Sequence, residues 1–519
     1  MSGGFRSRSK SGDRPQPERG AKAGRADRAG KPREARAPRH NRGRDGAGGR
    51  ERDSTGDFFQ QARRSGVDMP RAVAYEVVHR VNVAAAFANL VLPKALRTQR
   101  LEGRDAAFAT ELTYGTLRTQ GVLDAVIAKS ATRGLGDIAP EVLDALRLGT
   151  YQVLYTRVEP HAAVDTTVRL VEAAGQEKAK GFANGIMRTI TRTRPEQWIE
   201  KLTPAGEIPA AAFRHAHPTW IAESFARVLG LGELDEALAA DSERPIVHLV
   251  ARPGEITAEE LAAITGFEQG KYSPYAVYMD SGDPGSLEPV RQGLAAVQDE
   301  GSQLIARALV EAPVEGEDGG RWLDLCAGPG GKAALIGALA RTDQAHVDAV
   351  EITAHRAELI EKTVADLPVS VHVADGRNPG LEPGFDRVLV DAPCSGLGSL
   401  RRRPEARWRK SEEDLAGLNT LQYELLSSAL NLVRPGGVVI YSTCSPDKRE
   451  TRDIVERAVS ELGAQELDAH ALIPDMPEVG HEKSVQMWPH RHGTDAMFFA
   501  VLRRGGQALP TRAKAGDRR

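Results

Sequence analysis

Residues 321–340, RWLDLCAGPGGKAALIGALA, decide the fold of the C-terminal half of the chain. A short apolar run ending at Ala327 passes into Gly328, Pro329, Gly330, Gly331 and Lys332, and AALIGALA then takes up helical spacing. A glycine-rich turn between a strand and a helix lets backbone approach a ligand closely and turns the helix N-terminus toward it. Alone the turn is shared by nucleotide enzymes of many kinds, and it lacks the spacing of a phosphate-binding P-loop. Its surroundings carry the argument further. HVDAVEI (346–352), VSVHVAD (369–375), FDRVLVDAP (385–393) and GGVVIYSTC (436–444) are further strands separated by helical runs, and MFFAVLRR (497–504) supplies a sixth. Strands alternating with helices predict a parallel sheet covered on both faces, a Rossmann-like α/β domain.

Carboxylates follow the next strands at intervals of about one strand-helix unit: Glu351, Asp375 and Asp391. In a doubly wound sheet these ends share the edge where ligands bind. Singly, each acid is an ordinary solvated loop residue; in common register they outline a cofactor site. An acid after the second strand suits ribose hydroxyls, Asp375 an adenine amino group, and Lys332 either the loop itself or a cofactor carboxylate.

The chain has three cysteines, Cys326, Cys394 and Cys444, in no CxxC spacing, so neither a disulfide framework nor a metal site is expected. Free cysteines are commonly small buried hydrophobes. Two of these, however, stand in loops after sheet strands, in DAPCSG (391–396) and STCS (442–445). A thiolate adding to carbon 6 of cytosine makes carbon 5 nucleophilic enough to attack a methyl sulfonium, and can later leave. Chemistry alone does not say which cysteine attacks.

DLCAGPGGK, DAPCSGLG followed by RRRPEARW, then LQYELLSSAL, RPGG and YSTCS stand in the order and spacing of the RsmB/NOP2/Sun group of RNA 5-cytosine methyltransferases, which this chain resembles. The resemblance implies S-adenosyl-L-methionine as cofactor, held by Cys326, Ala327, Gly328, Pro329, Gly330, Gly331, Lys332, Glu351, Arg356, Asp375 and Asp391. It implies Cys444 as nucleophile, Cys394 as the thiol that helps release the product, and Asp391 against the target base and cofactor. Two positions depart from the group's habit: Glu351 where Asp is commoner, and Glu450-Thr451 where Asn follows the acid.

Upstream, residues 68 to 190 show apolar spacing of three and four with no strand alternation, Val73, Val77 and Val81 marking one face and Leu143, Leu146, Tyr151 and Leu154 another. LRLGTYQVLY, EPHAAVDTTVRLV and FANGIMR resemble the NusB fold that precedes the methyltransferase in the small-subunit branch of the group, and QDEGSQ (298–303) and PHRHGTDAMFFAVLRR (489–504) extend the likeness. The expected fold is therefore multidomain: an all-α NusB-like domain and an α/β Rossmann-like class I methyltransferase domain. The expected divisions are a disordered basic tail over 1–67, the NusB-like RNA-binding domain over 68–195, a small α/β connecting module over 196–297, the methyltransferase domain over 298–505 and a loose basic tail over 506–519.

Total charge, formally -2, does not argue for nucleic acid. Its distribution does more. The first 55 or so residues are rich in Arg, Lys, Gly and Pro, a composition suited to nonspecific phosphate contacts or to a mere solubilising tail. Arg401, Arg402, Arg403, Arg407, Arg409 and Lys410, with Trp408 among them, follow the Cys394 loop, where phosphate contact to RNA with a flipped base is expected. Trp408 fits stacking and core equally. No apolar run approaches the ~20 residues of a membrane span and no secretory core is present, so a cytoplasmic monomer acting on ribosomal RNA, 16S by the resemblance, is expected. The same chemistry on 23S ribosomal RNA or transfer RNA is one alternative; a noncatalytic NusB-like RNA-binding or antitermination protein is another.

Overall fold

A computed structural model describes residues 54–504; the two basic tails lie outside these apart from residues 54–67. Among the described residues, nine α-helices come first, from Ser54–Arg64 to Pro195–Leu202. Val73, Val77 and Val81 are fully buried in their common core, as are Leu146 and nearly Tyr151. Leu143 and Leu154 are only partly buried at its margin. Asp68 caps the helix Met69–Ala84 by accepting from the Arg71 amide at 3.1 Å.

Residues 54–67 differ from the disorder expected of them. Ser54–Arg64 is helical, and Phe59, Ala62 and Val67 enter the same core. Composition averaged over a basic tail hid Phe59 and Ala62, three apart on one helix face, and Val67 just beyond the helix end.

After Leu202 come the helices Glu207–Arg214, Thr219–Leu229 and Leu234–Ser242, then a four-stranded antiparallel sheet centred on Val247–Ala251. The helices do not close a core of their own. Ile221, Phe225 and Leu238 share one with Leu397, Leu400, Trp488 and Ala496, residues that follow the two cysteine-bearing strands. The small sheet has a separate core around Leu249, Leu261 and Val277.

The large sheet contains β1 (Arg321–Asp324), β2 (His346–Glu351), β3 (Val369–Val373), β4 (Phe385–Asp391), β5 (Val433–Thr443), β6 (Gln465–Leu467) and β7 (Phe498–Arg503). Its spatial order is β6-β7-β5-β4-β1-β2-β3, with β1 to β5 parallel and β7 antiparallel to both β5 and β6. Buried on both faces, the central strands read as nearly continuous apolar runs, Phe385, Val388, Leu389 and Val390 being fully enclosed, whereas the edge strands β3 and β6 are only partly covered. Regular β1 pairing stops at Asp324, three residues before Ala327, although the Leu325 and Ala327 amides still bond to Leu389 and Val350. The strand order reverses beside β1, so β1 and β4 open a crevice at their C-terminal ends. No described helix is long and apolar enough to cross a membrane.

Candidate active site

At the end of β1 the chain turns through Cys326 to Lys332 into the helix Gly331–Thr342. Gly330 has φ +110°, open to glycine but not to other residues, and its amide closes the turn on the Ala327 carbonyl at 2.8 Å. A Cβ at Gly328 would lie 2.1 Å from Glu351 Oε2 and 2.6 Å from Arg356 Nη2, so both side-chain ends would have to move aside to admit one. Glu351, at the end of β2, is 4% exposed; its Oε1 accepts from the Thr353 amide at 2.9 Å, and Arg356 Nη1 lies 3.4 Å from Oε2. Loop, buried acid and arginine thus form one cradle. This is a donor set suited to ribose hydroxyls and to the carboxylate and amine of an amino-acid-bearing nucleoside.

Asp375 stands apart from that cradle, after β3. The Arg377 guanidinium binds both its oxygens, at 3.0 and 2.6 Å, and also reaches Glu424 at 3.1 Å. That side-chain bond holds the Asp375 carboxyl below the ordinary range. Sequence reasoning missed Arg377, two residues on. It also missed Asp324, a carboxyl 1% exposed inside an apolar strand, whose Oδ2 has no partner among the described residues. Burial, with the nearby Asp391 charge, pushes Asp324 up to about 7. An acid within RWLDL was the available signal. Burial likewise pushes the Cys326 thiol up, with Asp324 adding to it.

Asp391 ends β4. Its Oδ2 accepts from Lys332 Nζ at 2.8 Å and its Oδ1 from Ser442 Oγ at 3.1 Å. Burial pulls the Lys332 ammonium down, but Asp391 more than compensates and holds it cationic. Beside this pair the sulfurs of Cys394 and Cys444 are 3.3 Å apart. The hydrogen bond from the Cys394 thiol lowers Cys444 below the ordinary thiol range; burial and Asp391 oppose the shift and Lys332 assists it. The same bond, with burial and the Glu450 charge, raises Cys394. Cys444 is therefore the member of the pair suited to carry the thiolate.

Three bonds stitch the two loops together: Ala392 N to Ser442 O at 2.8 Å, Gly398 N to Cys444 O at 2.9 Å, and Ser395 Oγ to Ser445 Oγ at 3.1 Å. Glu450 is the anchor beneath them. Fully buried, it accepts from the Ser395 amide at 2.8 Å, from the Ser395 hydroxyl, and from Gln422 Nε2 at 3.0 Å. The sequence marked Glu450 only as part of a departure from the group's pattern; its partners lie 28 and 55 positions away.

The basic run after Cys394 corrects an expectation. Arg407 is fully buried and bonds the Asp241 carboxylate at 3.1 Å and the carbonyls of Asp241 and Ala216 at 2.6 and 3.2 Å. Trp408 Nε1 donates to Leu117 O at 2.8 Å, and Arg409 donates to Val81, Ala85 and Ala86, the free carbonyls ending the helix Met69–Ala84. Arg401 and Arg402 both grip the buried Asp495. Four of the six basic residues are thus spent on partners within the protein, Arg407 and Arg409 on the connecting and N-terminal helices and Arg401 and Arg402 on Asp495. Exposed carbonyls at a helix end attract guanidinium as well as phosphate does cations, and a sequence does not distinguish the two partners.

Comparison with known proteins adds the following. The family model described as 16S rRNA methyltransferase RsmB/F matches residues 308–503, and that of the NusB family matches residues 68–192. A methyltransferase of Mycobacterium tuberculosis is 55% identical over 448 residues, covering 85% of this chain and 98% of its own length. The ribosomal RNA small subunit methyltransferase B of Cronobacter sakazakii is 32% identical, covering 83% of this chain and 98% of its own length. A crystal structure of the protein PH0851 superposes with a TM-score of 0.72 at 22% identity, covering 84% of this chain and 98% of that one, a likeness of fold.

Proposed function

Because the chain belongs to the RsmB/F family of ribosomal RNA methyltransferases, S-adenosylmethionine-dependent enzymes, we propose that it methylates carbon 5 of a cytosine in 16S ribosomal RNA through a covalent bond to Cys444. The observation that carries this reading is the 3.3 Å pair of thiols set beside the Lys332–Asp391 ion pair.

The cradle of Cys326 to Lys332, with Glu351 and Arg356, fits the cofactor's ribose and methionine ends, and Asp375 its adenine once Arg377 yields an oxygen. S-adenosylmethionine supplies an electrophilic methyl carbon whose bonding pair stays on the departing sulfur. The Cys444 thiolate adds to carbon 6 of the base, and the carbon 5–carbon 6 π pair shifts to carbon 5, which bonds the methyl carbon. Lys332 and Asp391 sit where they hold the base's polar edge during the addition. The carbon 5 proton then leaves to water, the ring double bond re-forms, and the carbon 6–sulfur bond breaks with its pair returning to Cys444. Cys394 assists that departure by donating its S–H to the leaving sulfur, the bond that already favours the Cys444 thiolate.

Bisulfite sequencing of ribosomal and transfer RNA from a deletion strain tests the target: one 5-methylcytosine of 16S RNA is expected to vanish and to return on complementation. A mark lost from 23S or transfer RNA instead would move the enzyme to another substrate, and no lost mark would overturn the reading. Glu351→Ala is expected to weaken S-adenosylmethionine binding by about 1–3 kcal/mol, the range for removing one partner of a buried hydrogen bond. Unchanged affinity on calorimetry would remove Glu351 from the cofactor site.

A further inference from the structure

The densest group of exposed large apolar side chains among the described residues is Val83, Phe87 and Leu90, which are 58%, 49% and 68% exposed. It lies where the helix Met69–Ala84 gives way to the helix Ala88–Gln99. Leu90, Lys94 and Arg97, spaced four and three apart, share the outer face of that second helix, with Phe87 at its N-cap three residues ahead of Leu90, while Ala88 and Leu92 are buried on the other. The ridge is apolar at one end and basic at the other over about 15 Å, at 1.5 Å of rise per residue. Residues 77–101 contain Arg80, Lys94, Arg97 and Arg100 and no Asp or Glu. Its apolar end joins the catalytic loop. Arg409, on the segment that continues from Cys394, donates to Val81 O at 2.5 Å and Ala86 O at 2.7 Å, and its guanidinium lies 5.8 Å from the Phe87 ring centre.

An aromatic ring backed by a guanidinium and followed by cations along one line matches an unpaired nucleic-acid strand, whose bases stack and whose phosphates need counter-charges; the Glu405 carboxylate that meets this helix, on the Ala88 amide at 3.3 Å, is buried. A protein partner of similar apolar area would leave the basic half of the ridge unmatched. We infer that the outer ridge from Phe87 to Arg97 binds an unpaired stretch of the substrate RNA, one base stacking on Phe87 and the following phosphates lying along Lys94 and Arg97. This rests on the reading that RNA is the substrate and adds the path by which the strand leaves the target nucleotide: past Arg409 and along the N-terminal helices.

The test uses the full chain with two readouts: anisotropy of a short fluorescein-labelled single-stranded RNA, and methyl transfer from labelled S-adenosylmethionine to a small-subunit ribosomal RNA transcript. Phe87→Ser is expected to weaken RNA binding about tenfold, within the range for loss of one stacked base, and Phe87→Tyr to restore it. The pair Lys94→Glu and Arg97→Glu is expected to flatten the logarithmic salt dependence by about 1.4, two single-strand phosphate contacts. Turnover at saturating transcript should stay near wild type in each variant. Unchanged affinity and salt dependence would overturn the inference, as would a fall in turnover with affinity intact, which would make Phe87 a mere prop for Arg409. Failure of the functional reading looks different: wild-type protein would bind the labelled RNA and transfer no methyl group to any transcript.

Discussion

With Cys444 replaced by alanine, methyl transfer is expected to fall to background while S-adenosylmethionine binds as before and no RNA becomes attached to the protein. In the proposed mechanism the thiolate is the group that activates carbon 5, so its loss removes the chemical step and leaves the proposed cofactor cradle, built from other residues, intact. Cys394→Ala should behave differently. Attack and transfer remain possible, but the leaving sulfur loses its hydrogen-bond donor at 3.3 Å, so elimination slows and protein-linked RNA accumulates as a retarded band under denaturing conditions. The structure adds a pH signature. Cys394 lowers the Cys444 thiol, so adduct formation by the wild-type enzyme should persist at pH values below the ordinary thiol range, and the Cys394→Ala variant should need a higher pH for the same rate of attack. An adduct trapped by loss of Cys444 and absent without Cys394 would exchange the two roles.

The second large effect is on stability. Arg407→Ala strips the buried Asp241 carboxylate of its guanidinium and opens a cavity among residues that link the connecting helices to the catalytic loop. Breaking a buried pair by removing one partner costs about 3–5 kcal/mol, chiefly because the other charge stays buried. His217, also on Asp241 at 2.9 Å, is pushed down to about 4 by burial and by Arg407. Without Arg407 it can take up a proton more readily, so part of the loss should be recovered in mildly acidic buffer. Denaturant midpoints across pH check both points. A loss of under about 1 kcal/mol would mean that the pair is solvated. Replacing Arg407 and Asp241 together with Met and Leu should cost less than Arg407→Ala alone, because no lone charge remains.

Much of the sheet was legible because its central strands, β1, β4 and β5, are enclosed on both faces and therefore largely apolar; the short, partly exposed edge strand β6 left no such run. The reversed direction of β7 was not, since pairing direction leaves no mark in a short run such as MFFAVLRR. The glycine-rich turn from strand to helix was legible from Gly328 to Lys332, Gly330 standing where its positive φ asks for glycine. What escaped were long-range partners. Glu450 holds the Cys394 loop from 55 positions away; a local partner escaped too, Arg377 occupying the carboxylate read as an adenine ligand two residues before it. The basic run misled for a related reason: Arg407 and Arg409 satisfy a carboxylate and a helix end that approach them only after the N-terminal helices and catalytic domain have packed together.

That packing bears on how such a protein can be rearranged. Trp408 and Arg409 belong to the catalytic domain by sequence, yet their hydrogen-bond acceptors belong to the first helices. An architecture of this kind resists exchange of parts. A chimera joining the catalytic half to a different RNA-binding domain would carry a graft whose donor groups meet no acceptors and whose Trp408 meets water. A transplant that keeps its function should therefore move the two halves together, or re-select the segment from Arg401 to Lys410 against its new neighbour.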